Sequence, residues 1–284
     1  MYEGVDLTSR VAIVEFNEDI QKAFNRALEL IGKIDDLNTA KRSVIIKVGV
    51  FDPRAGAHST VNVVNAIINS FNKAPRIFLA ESDNYKGKGS ERLQIWRELF
   101  SERVVPFNLS DDTNTRKVKI ADEEIGFSHI LFKPNVFVST HILREYEKGS
   151  ILKNLLGLIP DRKKMRFHKK LETTLLDAYE AVGGIDLAVL DGTYAYPGVA
   201  PSKAQKRINM NTLVVGRDAV AVEAVGAAIV GSDLQKMPVI QEAMKRGLGE
   251  GNLEKIEILG NSLESTKEKF SASKSLKRKG TQRK

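Results

Sequence analysis

Histidine is scarce in this sequence: four occur, at 58, 129, 141 and 168. His141 follows the apolar run NVFVST, and His168 lies near the end of a basic stretch, SILKNLLGLIPDRKKMRFHKK (150–170). Two imidazoles facing one site can serve as acid and base near neutral pH. Together with Asp191, which follows the apolar run IDLAVL, they could instead hold a divalent metal. No pair of histidines has the short spacing of a metal motif, and both alternatives stand. His129, in GFSHILF, reads as an ordinary hydrogen-bonded side chain.

The stretch 150–170 carries the second kind of chemistry, the holding of an anion. Its start reads as a short helix with Ser150 suited to the N-cap. Helical spacing puts Ile151, Leu152, Leu155 and Leu156 on one face, and Lys153, Asn154 and Gly157 on the other. An ammonium, an amide and first-turn N–H groups, with a glycine that lets a ligand come close, are the parts of a carboxylate or phosphate site. Lys153, fixed by Leu155 and Leu156, is expected to bind the anion directly. Arg162, Lys163, Lys164 and Arg166, beyond Pro160, are expected to form a mobile loop that raises the local potential.

These residues need a frame. Strand and helix patterns alternate: strands at 11–16, 43–51, 76–80, 135–140, 185–192, 211–216 and 255–260, and helices at 18–34, 60–71, 91–100, 169–182, 218–230 and 238–246. That order predicts an α/β fold, a mostly parallel β-sheet covered by helices. In such sheets ligands bind beyond the carboxyl ends of the strands, where Asp52, His58, Glu81, Asp83, His141, Asp191 and Asp218 fall. Residues 118–127 suggest a hairpin, and the less regular 82–134 an inserted lobe. Asp218 reads as a helix N-cap. Glu223, the lone charge in an apolar helix, needs a partner such as Arg217. GLGEG (247–251) follows a helix instead of preceding one, and NYKGKGSER (84–92) lacks phosphate-loop spacing. Neither supports a nucleotide enzyme.

Composition removes whole classes. With 42% hydrophobic and 28% charged residues the 284-residue chain reads as globular, and no apolar run approaches the ~20 residues of a membrane span. It has no cysteine, which excludes disulfides, thiolate nucleophiles and a self-held iron–sulfur cluster. The first residues carry acids where a secretory signal carries bases, so a cytoplasmic location is expected. Of the net charge of +8, residues 267–284 hold +7, eight Lys and Arg against one Glu. The body, 1–263, is therefore read as one nearly neutral domain, and 264–284 as a disordered basic tail.

The segments VFVSTH, GSILKNLLGLIPDRKKMRFHKKL, IDLAVLDGTYAYPGVAPSK and NTLVVGRDAVAVEAVGAAIVG resemble the domain-of-unknown-function family 362, from about residue 43 to 260. IKVGVFDPRAGAHSTVNVVNAI is similar to an earlier lysine segment of that family. The resemblance implies that Lys47, His58, His141, Lys153, Asn154, His168, Asp191 and Asp218 fall on motif positions. Where the family shows a lysine and, two residues on, an asparagine, this chain reads Lys47-Val48-Gly49, so that amide is missing. Many members carry a ferredoxin-like cysteine module that is not in this sequence. More remotely, the order of Thr-His, lysine and histidine is similar to the catalytic domain of nickel-dependent lactate racemases.

The leading expectation is thus an α/β enzyme acting on a small anionic substrate. Lys153 and Asn154, with Lys47 and His58, would hold the anion, and His141, His168 and Asp191 would carry acid–base chemistry of the racemase or isomerase kind. The alternative is a non-catalytic binding protein whose basic tail contacts RNA or an acidic partner.

Overall fold

The segment VIIKV is buried along its whole length, so it must lie inside a sheet with a layer on each face. The computed structural model, which describes residues 9–198 and 207–281, meets that demand with an eight-stranded sheet. The strands of the chain are β1 (Ser9–Glu15), β2 (Val44–Val48), β3 (Ile77–Glu81), β4 (Val104–Asn108), β5 (Thr115–Ile120), β6 (Glu123–Ser128), β7 (Val136–Arg144), β8 (Leu187–Tyr196), β9 (Ile208–Gly216) and β10 (Ile256–Gly260). In the large sheet they run β10-β1-β9-β8-β7-β2-β3-β4. Only β9 runs antiparallel to its neighbours. The fold is α/β with a mostly parallel sheet.

Two apolar layers cover it. On one face lie α1 (Ile20–Leu30), α2 (Val61–Ser70) and the turns Leu93–Leu99, with Phe24, Ile67, Phe71 and Trp96 fully buried. The other face carries α4 (Leu171–Ala181), α5 (Ala219–Ile229), α6 (Pro238–Lys245) and α7 (Leu263–Thr281), through Leu175, Val222, Ile240 and Phe270. Every residue of α5 is buried, as its nearly uninterrupted apolar sequence requires.

Four expectations are corrected. The helix foreseen at 91–100 is a single short turn, α3 (Gly89–Arg92), followed by 3-10 turns that kink at Trp96. The helix foreseen from Ser150 is a 3-10 segment, Lys153–Leu158, because Gly157 and Pro160 leave too little run to propagate an α-helix. Residues 82–134 form no separate lobe: β4 joins the main sheet, and only the β5–β6 hairpin stands apart, turning through Ala121 and Asp122 at positive φ. Buried Ile120, Ile125 and Phe127 place that hairpin in the core shared with α4.

The fourth correction concerns the tail. Helix α7 is docked, with Thr266 and Phe270, four residues apart, buried on one face. Lys269 pairs with Glu15 at 3.2 Å and Lys274 with Glu145 at 2.5 Å. Composition misleads here because helical order in proteins comes from packing one face, and a single phenylalanine in the right place supplies it. The side chains of 276–284, which hold the densest cations, lie outside the described residues, as do 1–8 and 199–206. Shortening the chain at residue 262 should lower the unfolding free energy by about 1.5–3 kcal/mol, the burial value of one phenylalanine. A urea unfolding midpoint unchanged by the truncation would contradict this docking.

Candidate functional site

Strands β2, β3 and β7 run parallel and end together, with Lys47 opposite Ser139 and Ala80 in register. Side chains alternate between the faces of a strand. Lys47 shares the face of Ile45, and His141 that of Phe137 and Leu143, all in the layer with α4–α7. Asp191, in register with Ile142, shares the face of Leu187 and Val189, in the layer with α1 and α2. The alternation thus sends His141 and Asp191 to opposite sides of the sheet.

Beneath the site lies a buried polar network. The Lys47 ammonium, fully enclosed, sits 3.0 Å from the Glu81 carboxylate and donates to Asn154 Oδ1 at 2.9 Å. Burial holds its pKa below the usual lysine value, and Glu81 opposes that shift. Glu81 also accepts from the backbone N–H groups of Val50 and Ser82 and lies 3.7 Å from Arg92. The guanidinium of Arg92 donates to the carbonyls of Val50 and Ser82. The Asn154 amide donates to the carbonyls of Lys47 and Thr140 and to Ser139 Oγ, tying the 3-10 segment to β2 and β7. Gly157 makes this closeness possible, since a Cβ there would lie 2.6 Å from Lys47 Nζ and 2.8 Å from Glu81 Oε1.

Above the network opens a cleft of about 460 Å³. Seven Lys and Arg side chains line it against two carboxylates, Asp52 and Glu81. Lys153 makes no hydrogen bond or ion pair among the described residues, and burial, with Arg144, Lys148 and Lys164 nearby, lowers its pKa to about 7. Lys164 is buried, hydrogen-bonds the Ser82 hydroxyl, and is likewise lowered to about 7, chiefly by burial. His141 and His168 line the same cleft. His141 Nδ1 lies 2.8 Å from the Ile142 N–H and 3.4 Å from the Ile142 carbonyl, so the ring is held against the backbone of β7. Burial, with Arg144 next, holds His141 well below its ordinary pKa, and burial and Lys153 lower that of His168.

The structure therefore brings Lys47, His141, Lys153, Asn154 and His168 to one cleft and leaves His58 and Asp191 outside it. Asp191 is fully buried, taking Thr60 N–H at 2.6 Å and its hydroxyl at 2.8 Å on one oxygen and Thr193 N–H at 2.8 Å on the other. It fixes the start of α2. His58 bonds the Ser59 carbonyl and packs edge-on to Trp96. With Asp191 turned away, no group of three metal-ligating side chains forms among the described residues, and a divalent metal held by protein ligands alone does not fit.

The N–H groups expected to face an anion are spoken for as well. Those of Ser150 and Leu152 donate to buried Glu223 at 2.8–2.9 Å, and burial raises that carboxyl's pKa. Arg217, the partner foreseen for Glu223, pairs with Asp36 instead. Asp218 caps α5 as expected. Arg166 is held by Glu123 and Asp161, and Lys170 by Asp122, so that part of the basic stretch is a paired surface and no mobile loop. Lys164 is the residue that sequence reasoning misplaced. Only the turn Lys164–Lys170 distinguishes it from its neighbours by folding it inward. Gly49 gains a meaning too: a Cβ there would fall 2.0 Å from His141 Cδ2, so the imidazole occupies the room an asparagine would need.

The chain is thus an α/β protein with a mostly parallel sheet and a basic cleft at the ends of three of its strands. The chain belongs to the family described as domain of unknown function (DUF362), whose model matches residues 44–228. Its fold is similar to that of the lactate racemase apoprotein from Thermoanaerobacterium thermosaccharolyticum, with a TM-score of 0.53 at 10% identity. That likeness covers 81% of this chain and 57% of the other, so this chain spans little more than half of that protein. No curated protein matches the sequence significantly.

Proposed function

We propose that the chain is an enzyme that holds a carboxylate or phosphate anion in the cleft and moves a proton at the adjoining atom, as in racemisation or isomerisation. One observation carries this reading: Lys153 and Lys164 converge on the cleft with no carboxylate in ion-pair contact with either, beside two neutral histidines. Buried cations without counter-ions leave an unmet electrostatic demand that an anion fills. His168, neutral and partly exposed, is the base. His168 takes the proton and, as imidazolium, returns it to the substrate, His141 lines the same cleft as the second imidazole, and Lys47 and Asn154 position the floor. The fold likeness to a racemase apoprotein supports the reaction class only by analogy.

The deciding experiment is solvent exchange. Incubation of the full chain in D2O with a panel of 2-hydroxy, 2-amino and other substituted carboxylates should place deuterium beside the carboxylate of at least one, by NMR. Anion binding with no exchange across the panel would favour the binding-protein alternative. Among the described side chains of α7, Lys267, Lys269 and Lys274 are each paired to a glutamate.

Anion affinity should also fall as pH rises. A lysine with pKa about 7 is charged at pH 6 and largely neutral at pH 9, so binding at high pH must take up protons. Sulfate, whose charge is constant over this range, should bind at least about tenfold more weakly at pH 9 than at pH 6 by calorimetry. Equal affinity at both would place the anion elsewhere.

A further inference from the structure

The surface of the cleft mouth is unlike its floor. Three large apolar side chains stand exposed among the described residues, Phe51 at 52%, Tyr85 at 60% and Met165 at 64%. All three line this one cleft, although they come from three separate segments, after β2, after β3 and in the turn Lys164–Lys170. Scattered single apolar residues on a surface need no explanation, but convergence on the mouth of a charged cleft does. Phe51 and Tyr85 meet edge to face with centroids 5.2 Å apart and an interplanar angle of 69°, which leaves ring surface of each open to a third group. Lys86 lies 5.3 Å from the Tyr85 centroid and keeps positive charge at the rim.

Resting on the anion-site reading above, we infer that the ligand is an aryl-bearing anion: a carboxylate or phosphate seated between Lys153 and Lys164, joined to an aromatic ring that lies against Phe51, Tyr85 and Met165. Size agrees. A two- or three-carbon acid leaves most of about 460 Å³ to water, whereas that volume suits a ligand with a ring system. Chemistry agrees too, since aromatic rings favour an edge or face contact with another ring, and thioethers favour ring edges. A ligand of this kind buries apolar surface at the mouth while its charge answers the unpaired lysines below.

The test is calorimetric titration of the full chain with matched probes: 3-phenylpropanoate against propanoate, and phenyl phosphate against inorganic phosphate. In the pair carrying the correct head group, the aryl member should bind at least about tenfold tighter, equivalent to about 1.4 kcal/mol. Which pair responds identifies the head group. The triple substitution Phe51→Ser, Tyr85→Ser and Met165→Ser, all at exposed positions, should bring the aryl probe down to its parent's affinity and leave the parent within about twofold. Lys153→Met should lose both members. Small anions bound as tightly as aryl ones, and lost in Lys153→Met, would overturn the aryl inference while leaving the anion site standing. An aryl preference that survives the triple substitution would overturn the assigned surface. No anion bound at all would overturn both readings.

Discussion

Replacing Lys47 by methionine should destabilise the protein by about 3–5 kcal/mol, the cost of stripping one partner from a buried ion pair. The side chain is fully enclosed, and its volume is nearly matched by methionine, so cavity formation contributes little. What remains is a buried carboxylate whose closest cation has gone, with Arg92 still 3.7 Å away but committed to two backbone carbonyls. Urea unfolding of Lys47→Met, Glu81→Gln and the double variant separates the causes. If the uncompensated charge dominates, the double variant should recover a substantial part of the loss, because both charges are gone. A strictly additive double variant would mean that the cost is packing. Gly157→Ala tests the same network from above, since its methyl would be driven against both Lys47 Nζ and Glu81 Oε1.

The frame of this site was legible in the sequence because β-then-α order and apolar runs are local signals. Lys153 and Asn154 were singled out by helical spacing, but the segment is a 3-10 turn that ties Asn154 into the buried Lys47 network and leaves Lys153 without a hydrogen bond among the described residues. The role of Asp191 was not legible, because it depends on which face of β8 it occupies. That is fixed by the register against β7, where it sits beside Ile142 and not His141. The strand also continues past it to Tyr196, so the position lies within the strand. Glu223 shows the same limit. A lone buried carboxylate announced a partner, but its partners are backbone N–H groups about seventy residues away, and backbone donors leave no mark in a sequence. Lys164 was hidden among equals, one of several adjacent cations whose separation into buried and surface-paired sets comes only with the turn.

That separation carries the second large effect. Lys153→Met should cost about 2–5 kcal/mol in anion binding, or in transition-state stabilisation once a substrate is known, the range for truncating a buried charge partner. Lys164→Met should fall in the same range, since its ammonium is buried against the Ser82 hydroxyl beside the Lys47–Glu81 pair. Arg166→Gln should cost less than about 1 kcal/mol, and less again at high salt, because its guanidinium is already neutralised by Glu123 and Asp161 outside the cleft. The two lysines should also be coupled. Lys164 adds to the burial, Arg144 and Lys148 that hold the pKa of Lys153 down, so removing Lys164 raises it and partly restores the charge of Lys153 at neutral pH. Sulfate affinity in Lys164→Met should consequently decline less steeply between pH 6 and pH 9 than in the parent. Arg166→Gln weakening binding as much as Lys153→Met, without salt dependence, would move the anion from the cleft to the outer surface of the turn Lys164–Lys170.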